Sequence, residues 1–256
     1  MLLAIDVGNT NIVIGVFQGD ELLHSWRLTT IRERTADELG ILVLDLCDHH
    51  HVRRQDISGI VMASVVPPLT GTLVAMAFKY FERTPLVFEP AASGAMPILY
   101  DNPSEVGADR VVNGIAAFSQ YGNGQPIIVV DFGTATTFDA ITAKGEYLGG
   151  VICPGPQISA DALFQRAARL PRVDVKKPAR VIGTNTVASM QSGLFWGYVD
   201  MVEGLVRRMK VELGGVAIVV ATGGLATVVA PESTVIDHVD PELTLQGLRL
   251  VWERRP

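Results

Sequence analysis

The chain has 256 residues, 48% of them hydrophobic, and its 21 basic against 27 acidic side chains give a net charge of −6. That length suits two domains of roughly 120 residues each, and a mean hydropathy of +0.30 supplies ample core material. The acidic balance, with no run of about five or six basic residues, argues against a nucleic-acid partner. There is no stretch of about 18 apolar residues and no basic residue ahead of the first apolar ones, so no membrane partner is expected and the expected location is cytoplasmic.

Three strand-like runs open the chain, at 2–6, 11–17 and 21–28, with Gly19-Asp20 as a tight-turn pair between the last two. That spacing predicts a three-strand antiparallel meander. Thr35 then starts a helical stretch to about His49, with Leu39, Leu42, Val43 and Leu46 at helical spacing and Glu38 completing a capping box. His49, His50 and His51 are adjacent and would point in three directions from a helix, which reads as a solvated helix end rather than a metal site. Cys47 and Cys153 stand apart from any C-x-x-C pattern and read as reduced and structural. Ile57 to Val66 is a buried strand, Pro67-Pro68 opens a helix to about Phe81, and Leu86-Val87-Phe88 is a short strand.

Turn residues Asp101-Asn102-Pro103-Ser104 precede Gly107-Ala108-Asp109-Arg110 and an apolar helical pattern at Val112, Ile115 and Ala116. Asp109 therefore falls in the first turn of a helix, where the partial positive charge favours its ionised form. An ionised Asp there can orient a hydroxyl and take its proton, or simply stabilise the helix start. Arg110 offers a planar fork to a carboxylate, or a surface ion pair.

After the Gly-rich joint 121–125 the order begins again, with strands at 126–131, 136–142 and 146–152, Gly145 at a tight turn, and helices beyond. Met190, Leu194, Val202, Leu205 and Met209 mark a helix from Thr186 to about Leu213, followed by a strand from Val216 to Ala221 and by Gly223-Gly224. Asp240-Pro241 caps a final helix to about Glu253. A meander followed by helices, twice over, is an α/β architecture with an internal duplication, divided as 1–120 and 121–256.

The two meanders carry nearly the same phrase at their first turns. Asp6-Val7-Gly8-Asn9-Thr10-Asn11 and Asp131-Phe132-Gly133-Thr134-Ala135-Thr136 each keep Asp and Gly at one offset after an apolar strand. Such residues are ordinary turn vocabulary, but the repetition favours a ligand: glycine admits close backbone approach, hydroxyls and amides donate to oxyanions, and a carboxylate holds a cation. Two such tips suit a polyphosphate. Ala221-Thr222-Gly223-Gly224-Leu225 reads as a strand-to-helix turn or as the nucleoside end of the same site. The P-loop, the dinucleotide G-x-G-x-x-G, G-x-S-x-G and H-E-x-x-H patterns are all missing from the sequence.

Together, the Asp6 to Asn11 phrase, Gly107 to Arg110, Asp131 to Thr136 and Ala221 to Leu225 resemble, in order and across the whole chain, the type III pantothenate kinases of the actin-like ATPase and sugar kinase superfamily. The resemblance implies two RNase H-like domains with ATP in the cleft between them. It implies phosphorylation of pantothenate by ATP to 4′-phosphopantothenate, the first step of coenzyme A synthesis. It gives ATP to Asp6, Val7, Gly8, Asn9, Thr10, Asn11, Ile12, Val13 and Thr134, and pantothenate to Tyr100, Gly107, Ala108, Asp109, Arg110 and Thr186. Asp109 is then the catalytic base, and Asp131 holds potassium or ammonium. Magnesium accompanies the nucleotide, with Asp6 acting on it directly or through water. A phosphoanhydride hydrolase of the same superfamily and a nucleotide-binding regulator without chemistry are the other classes the fold admits.

One stripe is left over. Ser189, Gly193 and Gly197 recur every four residues on the 186–213 helix, and each glycine there costs roughly 1 kcal/mol against Ala. Something approaches that stripe closely: a helix of the same chain or, as the resemblance implies, the second subunit of a homodimer.

Overall fold

The computed structural model describes residues 1–255. Backbone contacts divide it into two units, one of Met1–Pro97, Asp101–Ala116 and the segment from Leu243 onward, the other of Ile98–Tyr100 and Ala117–Glu242.

The first unit is a five-stranded sheet. Strands β1 (Leu2–Val7), β2 (Asn11–Gln18) and β3 (Glu21–Thr29) form the antiparallel meander. After helix α1 (Ala36–His49), strand β4 (Gly59–Ser64) pairs parallel to β1; after helix α2 (Pro67–Phe81), the short β5 (Leu86–Val87) pairs parallel to β4. A single helical turn, α3 (Pro90–Ser93), follows. The strand order is β3-β2-β1-β4-β5. β1 sits in the middle because its run of apolar residues is buried on both faces, whereas β3 is half exposed and takes the edge. Leu3, Ile5, Val7, Ile12 and Ile14 pack with Leu39, Val43, Leu69, Leu73 and Met76 of α1 and α2. The capping box at Thr35 and Glu38 forms with both hydrogen bonds present. Cys47 is buried among these residues, which pushes its thiol up to about 11 and leaves it unreactive near neutral pH. The histidine run ends α1 on the surface, yet it is not simply solvated. His50 packs its ring 4.5 Å from that of His24 and 5.5 Å from that of Trp26 on β3.

Helix α4 (Ala108–Tyr121) begins in the first unit and continues into the second. The second sheet contains β6 (Ile127–Phe132), β7 (Ala135–Ile141) and β8 (Tyr147–Pro154) as the second meander. Helices α5 (Pro156–Arg166) and α6 (Thr186–Glu212) follow. Strand β9 (Ile218–Gly223) then pairs parallel to β6, and after the four-residue α7 (Ala226–Val229) a two-residue β10 (His238–Val239) pairs parallel to β9. The order is β10-β9-β6-β7-β8, the same succession and pairing senses as in the first sheet. Phe195, Val199, Val202 and Val206 of α6 cover Ile128, Val130, Phe132 and Phe138.

The last helix departs from the sequence reading. α8 starts at Leu243, and Asp240 is not its cap: its Oδ1 accepts from the backbone N–H of Glu242 in the turn before it. It belongs to the first unit, although the sequence reading placed it with the second half. The reason lies in the small residues Ala4, Gly15 and Gly59, which clear one face of the first sheet. Leu245 fills the space over Gly15, and the Trp252 ring lies where a Cβ of Gly59 would stand.

Candidate active site

In the first unit, Asp6 is half-buried at the penultimate position of β1, paired with Val13 of β2 and Ala63 of β4. Val7 pairs with Ile12, both buried, and the four residues between them form the tip, closed by Gly8 N–H donating to Asn11 O at 2.9 Å. Asn9 and Thr10 are exposed at its end. Thr30, at the exit of β3, steadies the tip from the side: its hydroxyl donates to Gly8 O at 2.7 Å and its N–H to Thr10 O at 2.9 Å. The sequence reading did not single out Thr30.

Gly107, Ala108, Asp109 and Arg110 form the start of α4, in the same unit. Asp109 is the second helical residue, as expected, and its Oδ1 accepts from the backbone N–H of Arg110 at 2.8 Å. A Cβ on Gly107 would stand 2.6 Å from that oxygen, so glycine leaves room for the carboxylate. Arg110 is only 8% exposed, so it is not a surface side chain.

In the second unit, Asp131 stands half-buried at the penultimate position of β6, as Asp6 does in β1. It pairs with Thr137 of β7 and Thr222 of β9. Here the tip is one residue shorter: three residues separate the paired Phe132 and Thr136, and Gly133 and Thr134 are exposed. Neither Gly8 nor Gly133 has a positive φ, so neither turn requires glycine for its conformation. A Cβ on Gly8 would crowd Asn11 O at 3.1 Å, so the closure of that hairpin itself favours glycine, whereas one on Gly133 would stand 3.4 Å from Ala135 O, an ordinary contact.

Gly223 is different. Its φ is +89°, and a Cβ there would lie 2.4 Å from Asp131 Oδ1 and 2.7 Å from the Phe132 backbone. Glycine is thus demanded by the strand neighbour and its carboxylate, and no ligand is needed to explain it. The helix expected after it is the single turn α7, too short for a helix N-terminal anion site. The tip has a second support that the sequence did not reveal. Gly155, after β8, donates to Thr134 O at 3.1 Å and passes so close that an added Cβ would be 2.2 Å from that oxygen. Pro154 beside it is held by the Tyr198 hydroxyl of α6 at 2.6 Å, and the same hydroxyl meets Ser159 of α5 at 2.7 Å. Burial pushes the Tyr198 phenol up, so it stays neutral and keeps a proton to donate.

Tyr100 and Thr186 are also in the second unit. Tyr100 packs on β8, its ring 6.4 Å from that of Tyr147. Thr186 is the exposed first residue of α6, behind the cap Asn185, whose Oδ1 accepts from Ala188 N–H at 2.9 Å. It lines a groove of about 700 Å³ with Leu163, Gly183, Met190, Gly193 and Leu194. Among the described residues there is no cluster of three or more His, Cys, Asp or Glu able to hold a metal, and no helix is long and apolar enough to cross a membrane.

Comparison with known proteins adds three findings. The family model for type III pantothenate kinase matches residues 2–208. The type III pantothenate kinase of Moorella thermoacetica is 57% identical over 254 residues, covering 99% of each chain, and that of Myxococcus xanthus is 56% identical over 254 residues, covering 99% of this chain and 98% of the other. Among solved structures, the activator of the 2-hydroxyisocaproyl-CoA dehydratase from Clostridium difficile with bound ADPNP superposes with a TM-score of 0.56 at 13% identity, over 98% of this chain and 92% of that one. At that identity the likeness shows the fold alone.

Proposed function

The chain belongs to the type III pantothenate kinase family and phosphorylates pantothenate to 4′-phosphopantothenate; we propose that Asp109 is the base of this reaction and that the two Asp-bearing hairpin tips hold ATP. The observation that carries the activity is the identity of 57% along essentially the whole chain. Support for the roles comes from placement. Each assigned residue except Tyr100, which lies in a bend beside β8, is at a strand end, a tip or a helix start, where a rigid element presents it.

In the proposed reaction Asp109 orients the 4′-hydroxyl of pantothenate and accepts its proton as the phosphoryl leaves ATP. Arg110 receives the substrate carboxylate through its planar fork, with Tyr100, Gly107, Ala108 and Thr186 completing the pantothenate site. Asp6 to Val13 and Thr134 contact ATP. The exposed backbone of Gly133 allows phosphate oxygens to come close.

The donors around Asp131 fit a monovalent cation. Its Oδ1 stands close to Gly223 and Gly133, where side chains are absent, and a carboxylate at a phosphate-binding tip suits potassium or ammonium. Magnesium fits as an ion carried by the nucleotide, since it is commonly held by one or two carboxylates with phosphate oxygens, and Asp6 is the candidate, directly or through water. Bound there, these cations would offset phosphate charge. The cytoplasm, where ATP is made, is the proposed location.

Release of ADP from ATP, measured with and without pantothenate, tests the activity. Release that depends on pantothenate is expected; release without it would indicate a phosphoanhydride hydrolase, and no release a nucleotide-binding regulator.

The supported tip leads to a further expected outcome. In Gly155→Ala the new methyl would overlap Thr134 O, so the Thr134 tip must shift. Displacements near 1 Å at a site are costly, and the KM for ATP should rise about tenfold with pantothenate affinity kept. Steady-state kinetics in each substrate check this; an unchanged KM for ATP would remove Thr134 from the nucleotide site.

A homodimer is part of the same reading. Ser189, Gly193 and Gly197 are exposed, and a Cβ at either glycine would meet nothing within 4 Å. Among the described residues nothing fills the space over Gly193 and Gly197, and these two glycines support close approach by a second copy. Gly193→Leu should weaken dimerisation, and an unchanged sedimenting mass would count against this placement.

A further inference from the structure

Behind Tyr100 lies a polar relay that no ligand role accounts for. Tyr147 is fully buried, and its hydroxyl donates to Asp139 Oδ1 at 2.7 Å. Asp139, also fully buried, accepts at Oδ2 from the Thr137 hydroxyl at 3.0 Å. A buried carboxylate is expensive to desolvate, and apolar residues of similar volume are often as stable in its place. Stability alone is therefore a poor reason for this group.

Strand alternation would not bring Tyr147 to Asp139. Asp139 pairs with Gly150, and counting back by twos from Gly150 puts Leu148 on the Asp139 face and Tyr147 on the other. The register shift between Ala140 and Ile141 makes Leu148 an extra residue, so Tyr147 pairs with Ile141 and turns onto the Asp139 face. Gly149, at φ +148°, absorbs the distortion that an L side chain would resist. The bulge thus has a definite product, the Tyr147–Asp139 hydrogen bond.

The same short stretch of β8 holds the segment that ends at Tyr100. Ile98 forms a parallel bridge to Tyr147, and Leu99 N–H donates to Tyr147 O at 2.8 Å. The Tyr100 ring packs at 58° against the Tyr147 ring and lies over Gly149, where an added Cβ would stand 3.7 Å from it. We infer that Tyr147, held by Asp139 and turned inward by the Leu148 bulge, is a positioning residue that fixes Tyr100 in its orientation toward pantothenate. This rests on the reading of Tyr100 as a pantothenate contact. A ring seated before the substrate arrives loses less freedom on binding, which is how a supporting shell contributes to affinity.

The test is a split in kinetic constants. Tyr147→Phe removes one hydroxyl and should raise the KM for pantothenate about tenfold, with the KM for ATP and kcat at saturating pantothenate within about twofold of wild type. In Tyr100→Ala the KM for pantothenate should also rise, and adding Tyr147→Phe to it should have no further effect. A folded Tyr147→Phe protein with unchanged pantothenate KM, or with both Michaelis constants raised equally, overturns the positioning role. If Tyr100→Ala raises the pantothenate KM and Tyr147→Phe does not, that role fails alone. A wild-type pantothenate KM in Tyr100→Ala refutes the contact itself and the inference with it. Should Tyr147→Phe not fold, Gly149→Ala, which disturbs the bulge beneath the Tyr100 ring, decides on the same split.

Discussion

Replacing Asp109 by Asn should lower turnover by about 10²–10⁴-fold, the usual contribution of a positioned general base. The variant should fold. Asp109 Oδ1 accepts from Arg110 N–H at 2.8 Å, close against Gly107, and an amide oxygen of the same shape can accept the same bond. What is lost at the helix start is part of a charge–dipole interaction worth about 0.3–1 kcal/mol, too little to unfold a protein of this size. The loss should fall on kcat with the KM for ATP nearly unchanged, because the nucleotide is assigned to the Asp6 and Thr134 tips. Thermal melting and kinetics on one preparation separate the two effects. A folded Asn variant turning over pantothenate at near wild-type rate would return Asp109 to the role of a helix-start residue.

The elements that were legible in the sequence are those whose signals are local. Both meanders follow from short apolar runs divided by turn residues, and the capping box at Thr35 and Glu38 formed as its spacing required. Helix α2 starts at Pro67 and ends at Phe81, as its prolines and apolar spacing indicated. The placement of Asp109 was legible for the same reason: turn residues, a glycine, then an apolar helical pattern. The hidden features depend on register and on distant neighbours. Gly223 stands in a visible motif, but its reason, contact with Asp131 Oδ1 and the Phe132 backbone, exists only once β9 is aligned on β6. Gly155 touches the Thr134 tip from the far end of β8. The return of α8 depends on Ala4, Gly15 and Gly59 sharing one face, and small residues scattered over three strands carry no pattern until those strands are paired. The bulge at Leu148 is similar, since a single extra residue reverses which side chains face Asp139.

Removing the carboxylate of Asp131 should abolish the monovalent-cation response. In the wild type, activity should rise when sodium is replaced by potassium or ammonium at constant ionic strength, and Asp131→Ala should respond to neither. At optimal potassium the variant should lose about 10²-fold, the scale of deleting one electrostatic stabiliser at a phosphoryl site. The sign of the effect in sodium is the more telling measurement. A carboxylate near phosphate oxygens, with no cation between, is repelled by about 4 kcal/mol for unit charges 4 Å apart at an effective dielectric constant near 20. If an ion that binds there poorly leaves that repulsion in place, Asp131 hinders the reaction in sodium, and the Ala variant should equal or exceed the wild type in that salt. The two curves of activity against potassium should then start together and diverge as the ion is added. A wild type equally active in all three salts would dismiss the site. A variant that is inactive in sodium while the wild type is active would mean that Asp131 acts without a cation, through the tip it supports beside Gly223.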